Sequence, residues 1–238
     1  MSTYNLDHKR KYYLVNDNEE NEEENEEVVE SPKKKKKDIW NGTSDTPSVD
    51  VYKNHIYFYC GVSKKSCLKL NNELKKLEIA ILNDGNNFVK KNKYIYLHIN
   101  SYGGSVFAAV STIDTIKNLK VPVVSIIEGA AASAATMISV ICSYRMILPH
   151  SFMLIHELSS STWGKMHQLE DEMHNLKQLM KLIKSLYEKY TQLDSEELDD
   201  ILKHDLWWDA KKCLQSGLVD EVYKETKVYD FNRINLDL

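Results

Sequence analysis

The sequence predicts an α/β domain built on mainly parallel strands. Two observations carry that reading. Between residues 56 and 155, short runs of β-branched and aromatic residues alternate with segments whose apolar residues recur at helical spacing. A single long amphipathic segment follows over 168–190, set apart by a strict seven-residue apolar repeat.

Taken in order, Ile56-Tyr57-Phe58-Tyr59 reads as a strand closed by Gly61. Residues 67–82 put Leu70, Leu74, Leu77 and Ile81 on one helical face, and Asp84-Gly85-Asn86 is a turn. Tyr94-Ile95-Tyr96-Leu97-His98-Ile99 is a run suited to a buried strand, and 106–119 is a helix. Residues 121–127 form the next strand and 134–142 the next helix. Met146-Ile147-Leu148 and Met153-Leu154-Ile155 are two further short strands. In the long segment, Leu169, Met173, Leu176, Met180, Ile183, Tyr187 and Tyr190 fall alternately four and three residues apart, with charged residues on the other face. Packing on the chain's own domain produces such a stripe, and so does pairing with the same helix of another subunit.

The 238 residues and net charge of −4 suit one domain with a tail, large enough to bury a core. Residues 1–44 differ in kind from the rest. Their middle is nearly all Glu and Asn, and Lys33 begins a block of five lysines. Opposite charge blocks with few apolar residues cannot bury enough surface to offset ordering, so a disordered charged tail is expected there. The folded domain is expected over 45–226, with a short extension at 227–238. The near-neutral balance gives no case for nucleic acid as a partner. The longest apolar stretch, 121–137, is interrupted by Pro122 and Glu128 and reads as a strand and a helix, not a membrane span. No secretory pattern opens the sequence, and the four cysteines lack metal-ligand spacing. A cytoplasmic location with reduced thiols is the expectation.

The chemistry-bearing residues cluster at the ends of these strands. Glu128-Gly129-Ala130-Ala131-Ala132-Ser133-Ala134-Ala135-Thr136 is a run of small residues with Ser133 at the junction of a strand and a helix. Small neighbours let backbone and substrate approach its hydroxyl, and amides at a helix start can stabilise an oxyanion. Such a run also serves plain helix packing. A nucleophilic serine needs a base, a group to orient that base, and N–H donors. Gly103-Gly104 follows a strand and frees backbone amides, or makes an ordinary turn. His156 directly follows the strand Met153-Leu154-Ile155, at the edge where functional groups gather in α/β sheets, although histidines there are also structural. Asp205, in Lys203-His204-Asp205-Leu206-Trp207-Trp208, either orients an imidazole or caps a turn.

Four motifs in order, Asn100-Ser101-Tyr102-Gly103-Gly104, Glu128-Gly129-Ala130-Ala131-Ala132-Ser133, Leu148-Pro149-His150-Ser151 with Met153-Leu154-Ile155-His156, and Gly217-Leu218-Val219-Asp220, resemble those of the proteolytic subunit of Clp proteases, the ClpP family. The resemblance implies an α/β, ClpP/crotonase-like fold of ββα units with a long protruding handle helix at 168–190. It implies Ser133 as nucleophile, His156 as general base and Asp205 as the orienting acid, with the Gly104 and Ala134 amides as the oxyanion hole. It further implies an oligomer of two stacked heptameric rings that encloses the serines. Unfolded polypeptide is the implied substrate, delivered by an AAA+ unfoldase that consumes the ATP. This chain is expected to need no cofactor and no metal. Tyr102 replaces the family's proline before the glycine pair, Ala134-Ala135 replaces Met-Gly, and Glu157-Leu158 replaces Gln-Pro after the histidine. The first forty-odd residues show no counterpart of the family's axial loops. Two other readings stand beside the endopeptidase: a catalytically weak or inactive structural or regulatory ring subunit, and a crotonase-type acyl-CoA enzyme, which would not need a Ser-His-Asp set.

Overall fold

A computed structural model describes residues 48–83 and 94–223. The expected tail at 1–44, the turn at Asp84-Gly85-Asn86 and the extension at 227–238 lie outside the described residues. Within them the chain forms β1 (Ser48–Tyr52), β2 (His55–Tyr59), α1 (Lys64–Asn83), β3 (Ile95–Ser101), α2 (Val106–Asn118), β4 (Val123–Ala132) and α3 (Ala134–Val140). There follow β5 (Tyr144–Ile147), β6 (Phe152–Leu154), α4 (Met166–Tyr190), α5 (Ser195–Ile201), β7 (Trp208–Asp209), α6 (Ala210–Gln215) and β8 (Glu221–Val222).

The strands form one sheet in the order β1-β2-β3-β4-β5-β8, with β6 paired to β4 and β7 to β6. β1–β2 and β6–β7 are antiparallel, and every other pair is parallel. Helices α1, α2 and α3 each connect two adjacent parallel strands, the βαβ arrangement that alternation in the sequence predicts. The fold is the mixed α/β class expected.

Two-residue alternation divides the sheet into two faces. Ile56, Phe58, Ile95, Leu97, Ile99, Val123 and Ile127 point into the main core, where they meet Leu70 and Leu74 of α1, Ala109 and Ile113 of α2, and Met137 and Ile138 of α3. Full burial of each such aliphatic side chain is worth about 1.5–3 kcal/mol. The opposite face carries a smaller apolar cluster of Tyr96, Val124, Ile126 and Met146. All four cysteines are free, and burial pushes the Cys142 and Cys213 thiols up to about 12.

Beyond the short elements β1, α5, β7, α6 and β8, which the sequence reading does not contain, β4 differs from it. β4 was expected to stop at Ile127 but continues through the small residues to Ala132. The reason is a change of partner. Val124 to Ile127 pair with β5, whereas Ala130 to Ala132 pair with β6. Between these stretches the register with β3 shifts, from Ile99↔Ile127 to Ser101↔Ala131, a bulge centred on Gly129 at φ +80°. A Cβ at Gly129 would lie 3.1 Å from Asn100 Nδ2, and its N–H donates to Ser151 Oγ at 2.7 Å. α4 forms where the sequence predicts it, and the structure adds where its stripe packs. Of its 25 residues only Ile183 and Tyr187 are buried. Met166, Leu169 and Met173 are exposed, at 72%, 36% and 53%. The seven-residue stripe therefore packs on its own domain at its C-terminal end and is bare at its N-terminal end.

Candidate active site

The bulge in β4 aims the small-residue segment at the site. After Ala132 the chain turns sharply into α3, and Ser133 occupies the turn at φ 54°, ψ −125°. That conformation is costly for an L residue, on the order of 1–3 kcal/mol, and persists only where neighbours hold it. The Ser133 N–H donates to Leu154 O of β6 at 2.8 Å. The Ser133 carbonyl accepts from Thr136 N at 2.9 Å and from Thr136 Oγ1 at 2.6 Å.

Gly103 closes one side. At φ +89° it is left-handed, and a Cβ there would lie 2.5 Å from Ala132 O, 2.8 Å from Ser133 Cβ and 3.1 Å from Ala134 N. Glycine alone permits this contact between the β3–α2 loop and the serine turn. Gly104, at φ +141°, lies equally close to Val62, whose carbonyl oxygen a Cβ would meet at 2.3 Å. The Gly104 and Ala134 amides do not donate to backbone carbonyls in the described turns and loops, and Ala134 is the first residue of α3, where the helix supplies no acceptor. Two donors are thus left, one in the Ser133 turn and one next to Gly103, which touches that turn.

His156 lies just past the end of β6, its imidazole Nδ1 3.2 Å from Asp205 Oδ1. Two pairings bring these residues together across the sequence. β7 lies antiparallel to β6, with Met153 opposite Trp208, and the Glu157 N–H donates to Leu202 O at 2.8 Å. The loop between α5 and β7, which carries Asp205, is thereby laid beside the His156 loop. The imidazole is 24% exposed and the carboxylate 80%. Water around Asp205 weakens the attraction, so the pair orients the ring more than it stabilises the fold. Glu157 faces solvent, and the carboxylate set against the imidazole is that of Asp205.

The fold thus sets the glycine pair of the β3–α2 loop, through Gly103, against the Ser133-Ala134 turn, and the Asp205 loop against His156 at the end of the strand that pairs with β4. Among the described residues no hydrogen bond joins Ser133 Oγ to His156. Sequence reasoning missed the supporting cast. Leu154 holds the Ser133 amide, Val62 props the glycine pair, and Trp207 sets its ring against Tyr102 edge-on, with centroids 6.1 Å apart. The aromatic pair was detectable only as large residues beside motif positions.

A strained serine, a histidine–aspartate pair and unclaimed backbone donors are the kinds of group that a serine hydrolase of α/β architecture uses. The comparisons narrow this. The sequence model of the Clp protease family matches residues 72–226. The chain is 36% identical over 141 residues to the ATP-dependent Clp protease proteolytic subunit of Streptococcus mutans, covering 57% of this chain and 71% of that one. It is 35% identical over 141 residues to the Lactococcus lactis protein of the same name, covering 57% and 70%. It is 30% identical over 135 residues to that of Deinococcus radiodurans, covering 56% and 66%. The chain belongs to the Clp protease family, and with it to the serine-type peptidases. Among the described residues no helix is long and apolar enough to cross a membrane.

Proposed function

We propose that this chain is the proteolytic subunit of an ATP-dependent Clp-type protease, an endopeptidase that cleaves unfolded polypeptide with Ser133, His156 and Asp205. The observation that carries the reading is the strained Ser133 turn, flanked by the amides of Gly104 and Ala134 and followed along the strand ends by His156 in contact with Asp205. Substrate binding draws the serine hydroxyl onto His156, as catalytic hydrogen bonds tighten in the bound complex. His156 takes the hydroxyl proton as Ser133 attacks the peptide carbonyl, and Asp205 steadies the imidazolium. The Gly104 and Ala134 amides hold the oxyanion. His156 then gives its proton to the leaving amine, and water releases the acyl group by the same route. Beyond substrate and water, each step uses only this chain's own groups, so cleavage by this route needs no cofactor. ATP belongs to the partner.

The bare N-terminal part of α4 supports the oligomer. Met166, Leu169 and Met173 form an apolar stripe on an otherwise charged helix, beside Trp163 at 92% exposure. Such a stripe fits the handle of two stacked heptameric rings, with the serines inside and an AAA+ unfoldase delivering substrate. A cytoplasmic location accords with this reading.

A second reading, a catalytically weak structural or regulatory ring subunit, draws on the missing Ser133–His156 hydrogen bond and the 80% exposure of Asp205. Cleavage of an unstructured peptide by the wild type and by Ser133→Ala separates the two. The proposed function predicts loss of turnover in the variant. Equal turnover in both proteins would refute it.

A further inference from the structure

The Ser133 carbonyl is held through a side chain of α4. It accepts from Thr136 N at 2.9 Å, from Met137 N at 3.4 Å and from Thr136 Oγ1 at 2.6 Å. The Thr136 hydroxyl has a single proton, and that proton goes to Ser133 O. Tyr187 OH, on α4, lies 2.6 Å from the same Thr136 oxygen. With the threonine proton already placed, the tyrosine must be the donor. The chain of bonds therefore has one direction, from Tyr187 to Thr136 to the Ser133 carbonyl.

Both hydroxyls are closed off from solvent, Tyr187 at 1% and Thr136 at 0% exposure, so no water substitutes for either. Burial also pushes the Tyr187 phenol well above its ordinary range, which keeps it protonated and able to donate.

Peptide geometry gives this chain of bonds a consequence. The Ser133 C=O and the Ala134 N–H belong to one planar trans unit and point in opposite directions. Whatever fixes the carbonyl fixes the amide. On the other flank, the Ser133 N–H is fixed by Leu154 O at 2.8 Å. The strained residue is therefore clamped on both sides, by β6 before it and by α4 through Thr136 after it.

We propose that Tyr187 is a positioning residue: acting through Thr136, it orients the Ser133–Ala134 peptide so that the Ala134 N–H is aimed at the developing oxyanion. This deepens the proposed function and rests on its assignment of Ser133 and Ala134. Tyr187 touches no substrate and lies 51 positions from Thr136 in sequence.

The test compares the full-length wild type with Tyr187→Phe, Thr136→Val and Thr136→Ser. All are followed by steady-state cleavage of a short unstructured fluorogenic peptide and by hydrogen exchange of amides 134–137. An amide aimed at the oxyanion acts in the transition state, so kcat carries the effect. Tyr187→Phe and Thr136→Val are expected to lower kcat about tenfold, the effect of one neutral hydrogen bond on the barrier, with KM nearly unchanged. Thr136→Ser keeps the hydroxyl and is expected to keep wild-type kcat, which a mere packing role for Thr136 would not produce. The double variant Tyr187→Phe/Thr136→Val is expected to be no slower than either single one, because the two residues act as one chain. Exchange at 134–137 is expected to quicken in Tyr187→Phe. Wild-type kcat together with unchanged exchange in Tyr187→Phe would overturn the proposal, as would a rise in KM alone. A wild type that neither cleaves nor reacts with a fluorophosphonate at Ser133 would overturn the catalytic reading instead. The exchange measurement would then still decide whether Tyr187 holds the peptide.

Discussion

At the scale of single residues, the site depends on backbone positions that only certain side chains tolerate. Ser133 is held at φ 54° by bonds on both flanks, and Gly103 stands against it at φ +89° with no room for a Cβ. Gly103→Ala is therefore expected to be harmful twice over. The left-handed backbone alone costs an alanine about 1–2 kcal/mol, before the contacts with Ala132 O and Ser133 Cβ are relieved. In a domain of this size the melting temperature is expected to fall by roughly 2–8 °C, read by calorimetry. Relief of the clash moves the Ser133 turn, so kcat/KM for a peptide is expected to fall further than the stability loss accounts for. A Gly103→Ala protein with wild-type turnover and melting temperature would show that the glycine merely occupies a turn.

Elements place these residues, and the sheet does so through strand register. The face opposite the main core illustrates this. His98 on β3 sits between His55 on β2 and Glu128 on β4, with His55 Nδ1 2.8 Å from His98 Nε2 and His98 Nδ1 2.7 Å from Glu128 Oε1. Tyr59 donates to the other carboxylate oxygen, and Tyr57 and Tyr96 stack on the two imidazoles at 4.4 and 4.6 Å. Because the carboxylate only accepts, His98 Nδ1–H donates to Glu128, and His98 Nε2 accepts a hydrogen bond from His55 Nδ1–H. Burial lowers His55 below its ordinary 6.5, with His98 and Lys53 adding to the effect against the pull of Glu128. Burial alone would raise Glu128, but hydrogen bonds from His98 and Tyr59, and the charges of His98 and His55, hold it below its ordinary 4.5. Both groups bind protons more weakly in the fold than in the unfolded chain. Their contribution to stability is thus present above the unfolded values and lost as pH falls, first below 6.5 through His55 and then below 4.5 through Glu128. Denaturant midpoints measured from pH 8 to pH 4 are expected to decline on the acid side, with a shallower decline in His55→Phe. An identical acid limb in that variant would contradict this.

The same scale shows what the sequence could and could not disclose. Helices α1, α2 and α4 announce themselves because Leu70 and Leu74, Ile113 and Ile116, and Ile183 and Tyr187 fall at helical spacing. The half of β4 that presents Ser133 does not. Glycine and alanine have low strand propensity, and Ala130 to Ala132 are strand only because β6 and β3 pair with them. Helices α5 and α6 carry capping aspartates at Asp194 and Asp209, but short helices of seven and six residues offer too few turns for a periodic signal. Ser133, His156 and Asp205 were legible as residues at strand ends or in a loop. The His156–Asp205 contact, like the Tyr187–Thr136 bond, was not, since these follow from pairings between β6 and β7 and between α3 and α4 that local spacing does not encode.

For the whole molecule, the unfinished surface is the N-terminal end of α4. The described fold buries Ile183 and Tyr187 and leaves Met166, Leu169 and Met173 in water. If that stripe joins subunits, Met173→Asp puts a charge into an apolar interface. The wild type is expected to sediment as a large assembly and the variant as a smaller particle with unchanged circular dichroism. A variant that sediments with the wild type would remove α4 from the interface. Catalysis by this site, however, requires that Ser133 be an activated nucleophile, and covalent labelling reports that without any substrate. The full-length protein is treated with a fluorophosphonate and the modified residue is mapped, in the wild type and in His156→Ala. An activated Ser133 is expected to be labelled in the wild type and to lose the label in the variant. An assembled, folded wild type that takes no label at Ser133, or one whose labelling survives the loss of His156, would contradict it.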